Sequence, residues 1–268
     1  MAGSKKTSGP RGGAARKLTT RVKTARGRKL SSTRWLQRQL NDPYVAAARA
    51  QGYRSRAAFK LAELDDRFKF LKPGARVADL GAAPGGWCQI AAERVHAGEG
   101  GKGPHGKVVG IDITPVEPIQ DVTLLEGDIY DDAALEQVRE VLGGTADVVL
   151  SDMAAASTGH RQTDHIRIMA LCEAALDFAM EILSPGGAFV AKVLKGGTED
   201  QLLNAIKRDF EFVRHAKPSA SRSDSAEAYI VAMGFRGRKT PESTPENGEN
   251  APGRNGKLHT TNLVSGVA

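Results

Sequence analysis

The sequence predicts an α/β domain with a mostly parallel seven-stranded sheet, helices on both faces, and one strand running against the others. Three observations predict it. Short Val/Ile/Leu-rich runs alternate with segments of helical period, the pattern of a sheet buried on both faces. The first such run ends in an acid and passes straight into a turn of Gly, Ala and Pro, VADLGAAPGGWCQ at Val77–Gln89. The last two runs are joined by the polar Ala216–Ser225 with no helix between them, so this pair is antiparallel and puts a reversed strand at one side of the sheet.

In chain order, Arg54–Arg67 has helical spacing and precedes the first strand, Arg76–Leu80. The helix Trp87–Val95 follows the glycine turn. Lys107–Ile113 and Val122–Glu126 are the next two strands, and Asp131–Leu142 returns as a helix. Ala146–Ser151 is a fourth strand, His165–Leu183 a long helix and Ala188–Leu194 a fifth strand. Glu199–Asp209 is the last helix, before strands Phe210–His215 and Ala228–Gly234. No internal repeat appears. One folded domain is expected over residues 31–235. Residues 1–30, basic and rich in Gly, Ser, Thr and Ala, and the polar tail 236–268 lack the apolar content for a core and are expected to be disordered.

Charge separates the chain into unlike parts. The 268 residues carry a net charge of +7, yet residues 1–40 hold 12 Lys or Arg and no acid, whereas residues 41–268 hold 26 bases against 31 acids. An acid-free basic arm suits a polyanionic partner. Its Arg, Ser and Thr content is also that of a transit peptide, but Gly, Pro and the lack of apolar periodicity argue against an amphipathic helix. The two cysteines, Cys88 and Cys172, are far apart, with no C-x-x-C and no His cluster at metal spacing, so no metal site and a reducing, intracellular setting are expected. No apolar run is long enough to span a bilayer, and a soluble protein is expected.

The glycine turn is the candidate ligand site. Small residues let a ligand approach backbone N–H groups, and glycine tolerates the φ values of a tight strand-to-helix turn. No Gly-Lys-Ser/Thr follows, so it is not a P-loop, and Gly81, Gly85 and Gly86 lack the G-x-G-x-x-G spacing. An acid followed by Gly-x-x-Pro-Gly-Gly better suits a ligand with a positive charge, and S-adenosylmethionine carries both an ammonium and a sulfonium. The plain alternative is a turn that binds nothing. Four strand ends carry acids: Asp79, Asp112, Asp128 and Asp152. Asp79 suits the methionine ammonium, or the ordering of the loop around it. Asp112, about 26 residues past the turn, suits ribose hydroxyls, and Asp128 an adenine amino group. Any one of these acids taken singly also reads as a cap or turn former.

DLGAAPGGW at Asp79–Trp87, SDMA at Ser151–Ala154, FVAKVLKG at Phe189–Gly196 and SAEAYIVA at Ser225–Ala232 resemble, in this order, the FtsJ/RlmE family of ribosomal RNA large-subunit 2′-O-ribose methyltransferases. Ser32–Leu64 is similar to the family's N-terminal portion, so the resemblance spans the whole expected domain. It implies a class I S-adenosylmethionine-dependent methyltransferase fold, Rossmann-like, and a Lys-Asp-Lys-Glu tetrad matching Lys60, Asp152, Lys192 and Glu227. It also implies cofactor contacts at Gly85, Trp87, Asp112, Asp128 and Asp152. The expected substrate is a uridine ribose of 23S ribosomal RNA within the large subunit, and the expected protein is a cytoplasmic monomer without a metal.

The chemistry asks for such a set. A ribose hydroxyl is a poor nucleophile, so methyl transfer gains from a base, or from a positive charge where alkoxide character develops. Lys192 lies in an apolar strand with Asp152 and Glu227 to orient it, and Lys60 suits a ribose or phosphate; a lysine snorkelling to solvent is the plain alternative for Lys192. The sequence departs from the family at Ala154–Ser157, AAAS where relatives carry Pro-Asn, close to the acceptor nucleotide. Two other readings stand beside this one: a 2′-O-methyltransferase of tRNA or another RNA, and a non-catalytic RNA-binding ribosome-assembly factor. A small-molecule methyltransferase fits poorly with the basic arm and the Lys/Arg-rich stretch 54–76.

Overall fold

The computed structural model describes residues 20–23, 27, 29–98, 103–156, 158–194 and 199–237. Most of the expected disordered arm and all of the tail beyond Gly237 lie outside the described residues. The elements are α1 (Leu30–Leu40), α2 (Pro43–Ala50), α3 (Ala57–Phe68), β1 (Arg76–Leu80), α4 (Gly86–Val95), β2 (Lys107–Asp112) and β3 (Thr123–Glu126). They continue as α5 (Asp132–Leu142), β4 (Ala146–Ser151), α6 (Arg161–Ile182), β5 (Leu183–Leu194), α7 (Glu199–Asp209), β6 (Phe210–Ala216) and β7 (Glu227–Phe235). The seven strands form one sheet in the order β3-β2-β1-β4-β5-β7-β6, parallel except for β7.

The reversed strand is therefore not at the side of the sheet. β7 lies between β5 and β6 and pairs antiparallel with both. Its composition explains the place: Ala228 to Ala232 are all fully buried, so the strand needs cover on both faces and partners on both edges. β6 mixes buried and exposed positions and takes the edge. β5 starts at Leu183, earlier than its apolar run, because α6 passes directly into it through Ser184–Gly187.

Helices α1 and α2 are not apparent in the apolar periodicity. The start of α2 did carry a local signal: Asp42 accepts a hydrogen bond from Tyr44 N at 3.0 Å, and Pro43 occupies the first helical position.

Period-2 alternation sorts the sheet's side chains onto two faces. Ala78 and Leu80 of β1, Phe189, Ala191 and Val193 of β5, and Ile230 of β7 pack with α5, α6 and α7. Val77, Val148, Leu150, Val190 and Val231 pack on the other face with α3 and α4. Each fully buried Leu, Ile or Phe contributes about 1.5–3 kcal/mol to holding these layers. The same parity assigns Asp79, Lys192, Glu227 and Tyr229 to the α3/α4 face. Among the described residues, no helix is long and apolar enough to cross a membrane, and no group of three or more His, Cys, Asp or Glu is placed to hold a metal ion.

Asp79, at the end of β1, is 1 % exposed. Its Oδ2 accepts the Cys88 thiol at 3.1 Å, and its Oδ1 is buried with no partner. Burial, opposed by the Cys88 bond and reinforced by the charges of Asp152 and Asp112, pushes the carboxyl up to about 7. The same burial, and then Asp79 itself, pushes the Cys88 thiol up. The folded state thus keeps a proton that the unfolded chain releases near its ordinary value of 3.8. This group's contribution to stability falls as pH rises through that window and is level on either side. Asp79→Asn, which needs no charge in the core, is expected to gain stability over the parent at pH 8 but not at pH 4. Urea unfolding at the two values checks this, and an equal difference at both would refute it.

Candidate active site

Strand parity brings three acid–base groups to the α3/α4 face, and α3 supplies the fourth. Antiparallel pairing sets Lys192 of β5 opposite Tyr229 of β7, and Leu194 opposite Glu227. Asp152 follows directly on β4. Lys60 projects from α3, 167 residues away in sequence from the glutamate it meets. Its ammonium lies 2.8 Å from Glu227 Oε1, 2.9 Å from Oε2 and 3.7 Å from Asp152 Oδ2, and it donates to the Tyr229 hydroxyl at 3.0 Å. Lys192 Nζ lies 2.8 Å from Asp152 Oδ1, and it donates to the main-chain oxygens of Asp152 at 2.7 Å and Met153 at 3.4 Å. The structure therefore brings together all four expected tetrad residues, nearly buried, with two positive and two negative groups in mutual contact.

A fifth member escaped the sequence reading. The Tyr229 hydroxyl donates to Asp152 Oδ1 at 2.7 Å while accepting from Lys60. Burial, then the charges of Asp152 and Glu227, push the phenol well above its ordinary range, so it remains a proton donor to Asp152. The signal was local: Tyr229 is two residues after Glu227 and so shares its face of the strand. Ser221, whose hydroxyl donates to Glu227 Oε1 at 2.8 Å, carried no such signal, because it sits in the loop before β7. Burial raises the Glu227 carboxyl, but Lys60, its hydrogen bond, Lys192 and Ser221 outweigh it and hold the group below the usual range.

Beside this cluster, at the carboxyl ends of β1, β2 and β4, lies a cavity of about 700 Å³. Gly81, Ala83, Asp112, Asp128, Asp152 and Met153 contribute to its wall. Asp152 thus belongs to both the cavity and the cluster. Gly81 has φ 76°, and a side chain there would run into Met153, so both conformation and space call for glycine. Asp112 also fastens the turn: Oδ2 accepts from Ala83 N at 2.9 Å and Oδ1 from Thr114 N at 2.8 Å. Asp128 likewise accepts from Tyr130 N at 3.1 Å. Turn-forming and cavity-lining are therefore combined in these two acids. Ala154–Ala156 of the departing AAAS stretch line the cavity, and Arg167 donates to the Ala156 oxygen at 3.2 Å; Ser157 lies outside the described residues.

Three expected positions stand differently. Asp79 is sealed behind the turn rather than on the cavity wall, because its side chain points toward the buried Cys88. Trp87 also turns inward: Nε1 donates to Ala57 O at 2.9 Å, and its ring lies 5.6 Å from that of Tyr229. An indole at the start of α4 buries more apolar surface between α3 and the sheet than in the cavity. Gly85 is the N-cap residue of α4 at φ 110° and is not on the cavity wall. What Gly85 and Trp87 offer at that helix start is main chain. Arg54, missed in the sequence, holds the turn from outside, donating to Pro84 O at 3.2 Å and to Glu117 O and Pro118 O, each at 2.6 Å.

The comparisons agree with this geometry. A family model described as FtsJ-like methyltransferase matches residues 53–235. A protein of Parvibaculum lavamentivorans named ribosomal RNA large subunit methyltransferase E is 61 % identical over 246 residues, covering 89 % of this chain and 96 % of its own. The protein of the same name from Cereibacter sphaeroides is 59 % identical over 244 residues, 91 % of this chain and 99 % of its own. A crystal structure described as a ribosomal RNA methyltransferase from Plasmodium falciparum is 32 % identical, with a TM-score of 0.61 over 69 % of this chain and 100 % of that one. With the matching family model over residues 53–235 and these relatives, the chain belongs to the FtsJ-like methyltransferase family.

Proposed function

We propose that this protein transfers a methyl group from S-adenosylmethionine to the 2′-hydroxyl of a uridine ribose in 23S ribosomal RNA of the large subunit. The observation that carries the reading is Asp152, which joins the Lys60–Lys192–Glu227 cluster to the cavity at the strand ends. The cavity fits such a cofactor: carboxylates at two strand ends for hydroxyl and amino groups, a turn with no room for a Cβ at Gly81, and the exposed apolar Ile113 and Tyr130 on its rim for a flat base. When bound, the cofactor supplies an electrophilic methyl on a cationic sulfur.

Chain residues do the rest. Lys192, as the neutral amine left after its ammonium has given a proton to solvent, accepts the proton of the 2′-hydroxyl as that oxygen takes the methyl group from sulfur. Asp152 directs Lys192, with Tyr229 holding the carboxylate in place. Lys60, oriented by Glu227, places the ribose and offsets negative charge developing on its oxygen. Asp112 and Asp128 hold the cofactor's ribose and base, and Gly85 and Trp87 contribute through main-chain N–H groups at the start of α4. The arm's cations add affinity for phosphate without choosing the nucleotide.

The deciding experiment supplies labelled cofactor with total RNA, large subunits or tRNA separately and maps the 2′-O-methyl position. Label in 23S RNA from large subunits is expected; label in tRNA alone would overturn the substrate. Lys192→Ala is expected to slow single-turnover methyl transfer by about 100-fold or more while leaving cofactor affinity near the parent value, and a near-normal rate in a folded variant would remove it as the base. Asp112→Ala is expected to weaken cofactor binding by about 1–3 kcal/mol in calorimetry. Deleting residues 1–19 removes five Lys or Arg. The salt dependence of RNA binding is then expected to become shallower with the methylated position unchanged; an identical slope would show that this segment does not touch RNA.

A further inference from the structure

Helix α1 presents an unpaired aromatic ring among cations. Trp35 is 53 % exposed, a costly position for the largest apolar side chain, and it has no ring or cation partner among the described residues. Arg34 and Arg38 are one turn apart on α1, and Arg38 is also a helical neighbour of Trp35. Both arginines are exposed, and neither has an ion-pair partner among the described residues. No acid occurs anywhere before Asp42.

A second segment is fastened to the same helix. Asn41 Nδ2 donates to Thr20 O at 2.9 Å and its Oδ1 accepts Thr20 N at 2.8 Å; Gln37 Oε1 accepts Val22 N at 3.0 Å, and its amide nitrogen donates back to Thr20 O. Two side-chain amides thus read the main chain of Thr20–Val22 much as a neighbouring strand would. They hold the exposed Arg21 and Lys23 to the helix that carries Arg34, Trp35 and Arg38. Arg21, Lys23, Lys29, Arg34 and Arg38 are thus carried by α1, by its N-cap or by the segment fastened to it, together with the exposed indole of Trp35 and with no acid between residues 20 and 41.

The end of α1 is anchored to the catalytic cluster. Asp42 caps α2 and pairs with Arg56, and it lies 3.6 Å from Arg222. Arg56 is the N-cap residue of α3, which carries Lys60. Arg222 adjoins Ser221, the hydrogen-bond donor to Glu227.

We infer that α1 is an RNA-stacking platform: Trp35 receives an unpaired base of the substrate RNA while Arg21, Lys23, Lys29, Arg34 and Arg38 neutralise the flanking phosphates. This deepens the proposed function and rests on its RNA substrate. Charge selects the occupant. A second copy of this chain would bring another acid-free patch of the same sign to the surface, whereas an unpaired nucleotide supplies both the flat apolar face for the indole and the anion for the arginines.

Tryptophan fluorescence tests it directly, because the chain has only Trp35 and Trp87, and Trp87 is 3 % exposed. The full-length protein is titrated with a short single-stranded oligouridylate and, separately, with an RNA duplex of equal length. Saturable quenching by the single strand and little by the duplex are expected. Trp35→Ala is expected to weaken single-strand binding by about tenfold and Trp35→Phe, which keeps a stacking ring, by about twofold. Michaelis constants for the large-subunit substrate are expected to rise in the same order. Affinity unchanged in Trp35→Ala, quenching retained in Trp35→Phe, equal quenching by the duplex, or a dimer that Trp35→Ala dissociates would each overturn the inference. Methyl transfer by the parent protein is read in parallel. If it persists while the Trp35 effects are missing, only the platform fails; if it is absent from every RNA, the proposed function fails, and the quenching result still decides the platform.

Discussion

Asp152 Oδ1 receives both the Lys192 ammonium at 2.8 Å and the Tyr229 hydroxyl at 2.7 Å, while its Oδ2 faces Lys60 at 3.7 Å. Through that one carboxylate β4, β5, β7 and α3 converge. Charged groups taken this far out of water are tolerated only when each is compensated, and removing one partner of such a set costs about 3–5 kcal/mol because it strands the other. Two lysines against two carboxylates balance, and Tyr229 and Ser221 each add a second donor to an oxygen that a lysine already contacts, Asp152 Oδ1 and Glu227 Oε1. The cluster is thereby held rigid before any substrate arrives, as a site that must place a hydroxyl oxygen against a methyl carbon needs.

The antiparallel β7 makes this possible. Were β7 parallel, Glu227 and Tyr229 could not both lie opposite the carboxyl-terminal end of β5, where Lys192 stands. The reversed strand starts at the end where the other strands finish, so it brings its first residues, Glu227 and Tyr229, to the ligand side of the sheet. The loop before β7 is then tied to the N-terminal helices by Glu63, which accepts Ala220 N at 3.2 Å, and by Arg56, which donates to Ala220 O. The segments outside the sheet core thus brace the Lys60–Asp152–Glu227 cluster, while the glycine turn borders the cavity.

Asp79 shows how a residue type can be legible in the sequence while the direction of its side chain is not. An acid at the end of the first strand is visible in the sequence, and orientation toward the ligand is the natural expectation. Period 2 instead sends it toward α4, where Cys88 receives it and burial favours its protonated form. Trp87 is the same lesson for an aromatic: adjacency in sequence to the glycine turn does not decide which way a ring turns, and the apolar layer between α3 and the sheet claimed it.

The strands and the helices from α3 onward, the glycine turn and the acids at the strand ends were determined by the sequence alone, because each depends on residues a few positions apart: alternation, helical spacing, and the φ freedom of glycine. The four tetrad positions were legible as matched motifs, and strand parity even predicts the shared face of Glu227 and Tyr229. Tertiary structure alone decided that β7 enters between β5 and β6, that α3 delivers Lys60 to a glutamate 167 residues away, and that Thr20–Val22 lies along α1. Those outcomes depend on which element fills a gap and at what register. That is settled by burial and hydrogen-bond satisfaction summed over the whole molecule, and no local window of residues contains it.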